Sequence, residues 1–222
     1  MNRLILIAYF ALLGLALLTY GLALKTKESY IRILFLYLVA ILVTTLLAIF
    51  VVNGLKMESN LFLFHVFTPV EYTLICLLYN EILSGAVVRK AVRISIPVFI
   101  VMSVVFALFV QRLRDNNSYI VIIECVLIIC WTLLFFREVL LYREAEVLVR
   151  YPLFWIGMGI LVYFTETMVI NGLMDYMVKH SMGLARRAYG VSYIFKYLLF
   201  LSLTLGAWCR IGLGKPPATE GV

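Results

Sequence analysis

Residues 33–52 read ILFLYLVAILVTTLLAIFVV, twenty positions with no charge, proline or glycine. At 1.5 Å per residue, an α-helix of that length crosses ~30 Å, the hydrocarbon thickness of a bilayer. Arg32 stands before the run and Asn53-Gly54 behind it, so water is available at both ends. Working outward, six further apolar runs occupy about 4–24, 61–83, 94–111, 119–136, 153–172 and 190–209. Each is long enough to span lipid as a helix, which satisfies every backbone amide within one segment. The fold expected is all-α, one polytopic membrane bundle of seven transmembrane helices filling residues 1–222.

Composition agrees. Hydrophobic residues make up 64% of the chain and charged residues 14%, with a mean hydropathy of +1.05. A soluble domain carries about a quarter charged residues. This chain lacks the polar side chains to coat a globule in water, and its main partner is the lipid bilayer. The net charge of +7 does not point to nucleic acid, because the basic residues are scattered over short loops. They read as topology determinants. Eleven Lys and Arg fall on the side of the C-terminus, among them Arg89, Lys90, Arg93, Arg137, Arg143 and Arg150, against seven on the side of the N-terminus. The positive-inside rule then puts the N-terminus outside and the C-terminus in the cytoplasm. The first run is longer than the apolar core of a signal peptide and is taken as an uncleaved span.

The breaks between runs have local causes. Ser59-Asn60 precedes the third run as a cap, Arg112 to Ser118 forms a polar turn, and Pro152 suits the first turn of the sixth helix. Pro69 and Pro97 fall inside spans. Residues 137–151 mix charge and apolar residues and read as an amphipathic cytoplasmic extension of the fifth helix, able to dock a signalling partner. Residues 173–188 are expected as an outer loop and the tail beyond Arg210 as unstructured.

Function is sought where charge enters lipid, since ionisable groups inside a bilayer are costly and usually functional. His65 and Glu71 lie in the third span, Glu124 in the fifth, Glu166 in the sixth and Lys196 in the seventh. From the helical rise, His65, Glu124, Glu166 and Lys196 come to one layer in the outer half, ~7–10 Å deep, with Glu71 beneath them at ~16 Å. Helical spacing adds neighbours. His65, Thr68, Tyr72, Cys76 and Tyr79 form a stripe with Glu71 on its edge; Trp155, Gly159, Tyr163 and Glu166 share a face; Tyr193, Lys196 and Tyr197 share another. The candidate ligand-binding residues are therefore His65, Thr68, Glu71, Tyr72, Glu124, Tyr163, Glu166, Tyr193 and Lys196. One lysine cannot neutralise three carboxylates, so the cluster suits either a buried ion pair joining helices or an outward-open polar cavity for a small ligand or proton.

No catalytic residue is nominated. His65 and Glu71 are six positions apart, ~9 Å along the axis, too far to act as an acid–base pair on an intact helix. The cysteines (Cys76, Cys125, Cys130 and Cys209) form no C-x-x-C pair, and with two histidines no metal or other cofactor set is visible. The best reading is a sensor or receptor subunit. A small proton-coupled transporter and a lipid-modifying enzyme are the alternatives.

Two resemblances bear on this. Asn60-Leu-Phe-Leu-Phe-His-Val-Phe-Thr-Pro-Val-Glu-Tyr72 and Phe154-Trp-Ile-Gly-Met-Gly-Ile-Leu-Val-Tyr-Phe164 resemble segments of small polytopic membrane proteins of the Bacteroidetes group. That resemblance covers about a tenth of the chain and implies a bacterial inner membrane, but no activity. Seven spans, an outside N-terminus, Lys196 in the last span and Tyr151-Pro152 before Trp155 are similar to microbial rhodopsins, which would imply retinal on Lys196. The third span departs from that family in lacking its Arg and Asp-Trp pattern, and no Asp stands one turn before Lys196. These departures count against a retinal Schiff base.

Overall fold

A computed structural model describes residues 3–57, 59–110, 117–142, 148 and 150–212. Seven long helices account for nearly all of them: α1 (Arg3–Ala23), α2 (Ser29–Ile49), α3 (Leu61–Ile82), α4 (Ala86–Val105), α5 (Ser118–Tyr142), α6 (Pro152–His180) and α7 (Met182–Gly212). All seven are long and apolar enough to cross a membrane. The outer surface fits the same environment: Leu4, Val87 and Phe109 are each about four-fifths exposed or more, at 79%, 83% and 80%. Contiguous apolar surface on this scale is tolerated only when lipid covers it. The protein is a multi-pass, seven-helix membrane protein.

Six helices form a closed ring. In ring order α1 packs on α2, α2 on α3, α3 on α5, α5 on α6, α6 on α7, and α7 returns to α1. The fourth helix stands outside the ring against α3, with a lesser contact to α5. Short connections force successive helices antiparallel, so one end of the bundle collects the N-terminus and the α2–α3, α4–α5 and α6–α7 junctions. Hydrogen bonds across that end agree: Tyr197 donates to the Ile5 carbonyl at 2.7 Å, and Asn117 donates to the Phe64 carbonyl at 3.2 Å. At the opposite end Arg210 of α7 is paired with Glu28 of the α1–α2 turn. There Glu138 of α5 also accepts from the amide and hydroxyl of Ser84 at 2.9 and 2.6 Å.

Helix ends differ from the hydropathy runs in an instructive way. Residues 173–188, expected as a loop, are almost wholly helical, and the break is confined to Ser181. That residue serves both helices. Its amide donates to the Met177 carbonyl at 2.8 Å, closing α6, while its carbonyl takes the amides of Leu184 and Ala185, opening α7. Met174, Met177 and Ala185 are buried in a small cluster where the two helices meet. With 29 and 31 residues, α6 and α7 are ~43 and ~46 Å long, well beyond the ~30 Å that lipid requires. They project as a helical hairpin from the N-terminal face. The fourth helix likewise begins before the apolar run and carries Arg89, Lys90 and Arg93 on helix rather than loop. The fifth continues through Tyr142, so the first residues of the expected 137–151 extension are helical; 143–147 and 149 lie outside the described residues, as do 112–116 of the polar turn and the tail from 213. Pro152 takes the first turn of α6 as expected. Cys76 and Cys125 are buried, whereas Cys130 faces the lipid side.

Candidate functional site

The ring of six helices encloses a cavity of about 270 Å³ near the N-terminal face. A smaller lobe of about 50 Å³ adjoins it beside α1 and α2. Phe64, Phe67, Glu71, Tyr163 and Lys196 line both lobes, so the two meet at these five side chains. Leu61, Asn117 and Tyr189 form the rim: Leu61 opens α3, Asn117 directly precedes α5, and Tyr189 is half-exposed. Toward the opposite face the core closes over. Ile75, Leu78 and Tyr79 of α3, Ile128 and Phe135 of α5, Ile156 and Ile160 of α6, and Leu199 and Leu203 of α7 are all at most 2% exposed. The cavity is one-sided.

Five of the nine candidate residues carry its polar chemistry, and a sixth, Tyr193, joins them through its ring. Thr68 accepts from Asn117 Nδ2 at 3.0 Å, tying α3 to the start of α5. Glu71 accepts from the Tyr37 hydroxyl at 2.8 Å, tying α3 to α2. Glu124 is 1% exposed and lines the larger lobe, and among the described residues its Oε1 has no hydrogen-bond partner. Lys196 lies with Nζ 5.6 Å from the centre of the Tyr193 ring, within cation–π range. Among the described residues no carboxylate oxygen comes within 4 Å of that ammonium. The ion pair weighed from sequence as a lock between helices is therefore not formed there among the described residues.

Three candidates stand elsewhere. His65 lines a groove between α3 and α4, together with Val66, Pro69 and Ser103. Tyr72 also faces α4: its hydroxyl donates to Ser95 at 2.8 Å, and its ring stacks on Phe99 at 4.1 Å. The stripe read at spacings of three and four is divided between neighbours: His65 and Tyr72 face α4, the helix outside the ring, whereas Thr68 reaches the cavity wall and Tyr79 lies 2.6 Å from Thr132 of α5. Glu71, on the stripe's edge, also turns inward. His65 and Glu71 thus point to different sides of α3 and are not brought together as an acid–base pair. Glu166 sits between α6 and α7, accepting from Ser192 Oγ at 2.6 Å, and lines a lipid-side groove with Val162 and Phe195. Its partner Ser192 lines the cavity.

Several lining residues were not singled out from sequence. Tyr37 is the one tyrosine in the run 33–52, whose other polar side chains are Thr44 and Thr45, which is a signal of sorts. Its partner Glu71 lies 34 positions away, and only packing pairs them. Asn117 reads as a turn residue, yet folds back to bond Phe64 and Thr68. Asn171, Thr167, Phe64, Phe67 and Phe164 complete the wall. Tyr9 of α1 closes the smaller lobe, with its hydroxyl 3.1 Å from Thr45 Oγ1. Among the described residues no three His, Cys, Asp or Glu side chains assemble as a metal-ligand set. No known family, curated protein or solved structure matches the chain significantly.

Proposed function

We propose that the protein is the sensing subunit of a membrane receptor, taking a small solute into the cavity from its N-terminal face. The observation that carries this reading is a one-sided cavity whose ammonium, at Lys196, is unpaired by any described carboxylate while Glu124 Oε1 stands without a partner. A buried cation and a buried acceptor left in this state cost stability and are retained where something else meets them. The resemblance to Bacteroidetes membrane proteins and the excess of Lys and Arg at the C-terminal end support a bacterial inner membrane with the cavity facing outward. The helical end of α5 and the residues after it, within 137–151, would contact a cytoplasmic partner.

A cysteine at Asn171 tests access and orientation together. In a variant lacking Cys130 and Cys209, Asn171→Cys is expected to react with a membrane-impermeant methanethiosulfonate added outside cells. Ser103→Cys, in the α3–α4 groove, is expected to stay unlabelled. Labelling of Asn171→Cys only in inverted vesicles would reverse the orientation, and no labelling from either side would remove the cavity reading. Proton-coupled transport is the second reading, favoured by two carboxylates, Glu71 and Glu124, lining one cavity. It predicts flux of a bound solute across liposomes, lost in Glu71→Gln; a sensor binds the solute without moving it.

A further inference from the structure

We infer that the cavity recognises a small zwitterion of the amino-acid type, with an apolar or aromatic side chain. This rests on the cavity reading above and adds the chemical class of the ligand. The polar groups of the cavity fall into two kinds. Some are satisfied from within: Glu71 takes the Tyr37 hydroxyl, and Asn117 gives its amide hydrogens to Phe64 and Thr68. Two are not. Glu124 Oε1 is a buried acceptor with no donor, and Lys196 is a cation with no described carboxylate within 4 Å.

A ligand that answers both must offer a donor, best a cation, at one end and an anion at the other. A simple anion would serve Lys196 but bring like charge toward Glu71 and Glu124. A simple cation would serve Glu124 but face Lys196. A solute with neither charge would leave Lys196 without a contact ion pair in a water-poor site, where that is costly. An α-ammonium with its carboxylate answers both demands in one molecule.

The rest of the wall sets the remainder of the ligand. Phe64, Phe67, Tyr163 and Phe164 present rings to the larger lobe, suited to an aliphatic or aromatic side chain and to cation–π contact with an ammonium. A volume of about 270 Å³ lies just under the ~300–1,000 Å³ range of drug-sized pockets, which excludes peptides and nucleotides.

The test uses the purified full chain in lipid nanodiscs and measures thermal unfolding and calorimetric binding. Probes are L-phenylalanine, L-leucine and L-tryptophan, the half-molecules 2-phenylethylamine and 3-phenylpropionate, and D-glucose. At least one amino acid is expected to raise the unfolding midpoint. Its half-molecules should bind roughly tenfold to a hundredfold more weakly, the loss of one hydrogen bond to a charged group. Glu124→Gln is isosteric and should fold; it is expected to weaken the amino acid to the level of 3-phenylpropionate, while 3-phenylpropionate itself binds no more weakly than to the wild type.

A half-molecule or glucose binding as well as the amino acids overturns the zwitterion and leaves the cavity as a receptor for another class. Binding of no probe also overturns it, and labelling of Asn171→Cys then decides whether the cavity reading falls too. If Glu124→Gln binds the amino acid unchanged, the carboxylate has no part in recognition and the inference is wrong.

Discussion

Gly159→Val is expected to destabilise the bundle by about 1–3 kcal/mol or more, the usual cost of forcing extra atoms into a packed interface. A Cβ at Gly159 would sit 2.6 Å from Ser202 Cβ. Since Ser202 Cβ is fixed to the backbone of α7, no rotamer change relieves the contact, and the helices must separate. Gly206 repeats the arrangement from the other side: its Cβ would lie 2.7 Å from Ile156 Cγ1 and 3.0 Å from the Pro152 carbonyl oxygen. Small residues allow this approach, and in lipid, where no hydrophobic force drives helices together, close packing carries much of the association. These two helices supply Tyr163 and Lys196, so parting them should also widen the cavity. Gly172, with nothing within 4 Å of a built Cβ, is the control, and Gly172→Ala should be neutral or stabilise by up to ~1 kcal/mol through helix propensity. Unfolding in mixed micelles separates the cases; Gly159→Val unfolding like the wild type would mean that α6 and α7 do not touch there.

Tyr37→Phe carries the other large effect. The hydroxyl is buried and donates to Glu71 at 2.8 Å. Removing it leaves a buried carboxyl oxygen without a donor, at a cost of about 1–3 kcal/mol. The cost belongs to the pair rather than to the tyrosine, and a double-mutant cycle shows this. In a Glu71→Leu background the same substitution should be nearly neutral, giving a coupling of about 1 kcal/mol or more. Equal destabilisation in both backgrounds would assign the loss to packing of the Tyr37 ring. The outcome also bears on the cavity, because Glu71 lines both lobes and the Tyr37 bond holds it against α2.

How much of this was legible in the chain follows from what each signal measures. Hydropathy measures the solvent, and so the run 33–52 and its six companions placed seven helices. Hydropathy is blind once a helix leaves lipid. Residues 173–188 are polar enough to look like a loop, yet continue α6 and α7 with one break at Ser181. Counting the helical rise set depth: it put Glu124 and Lys196 in one layer with Glu71 beneath, and the three do line one cavity. Periodicity named faces without naming neighbours. His65 and Tyr72 share a genuine stripe of α3, but α4 lies against it.

The sequence by itself determined the solvent, the number and length of the crossing segments, and the depth at which charge enters them. All of these depend on residue identity and a fixed rise per residue. Tertiary structure decided which face of each helix turns inward. Six helices closed into a ring and left the fourth outside, so Glu71 met Tyr37 from 34 positions away while Glu166 turned to Ser192 between α6 and α7. Rotation of a helix about its axis is set by the partner it packs against, and in lipid an apolar stripe fits a neighbouring helix and an acyl chain alike.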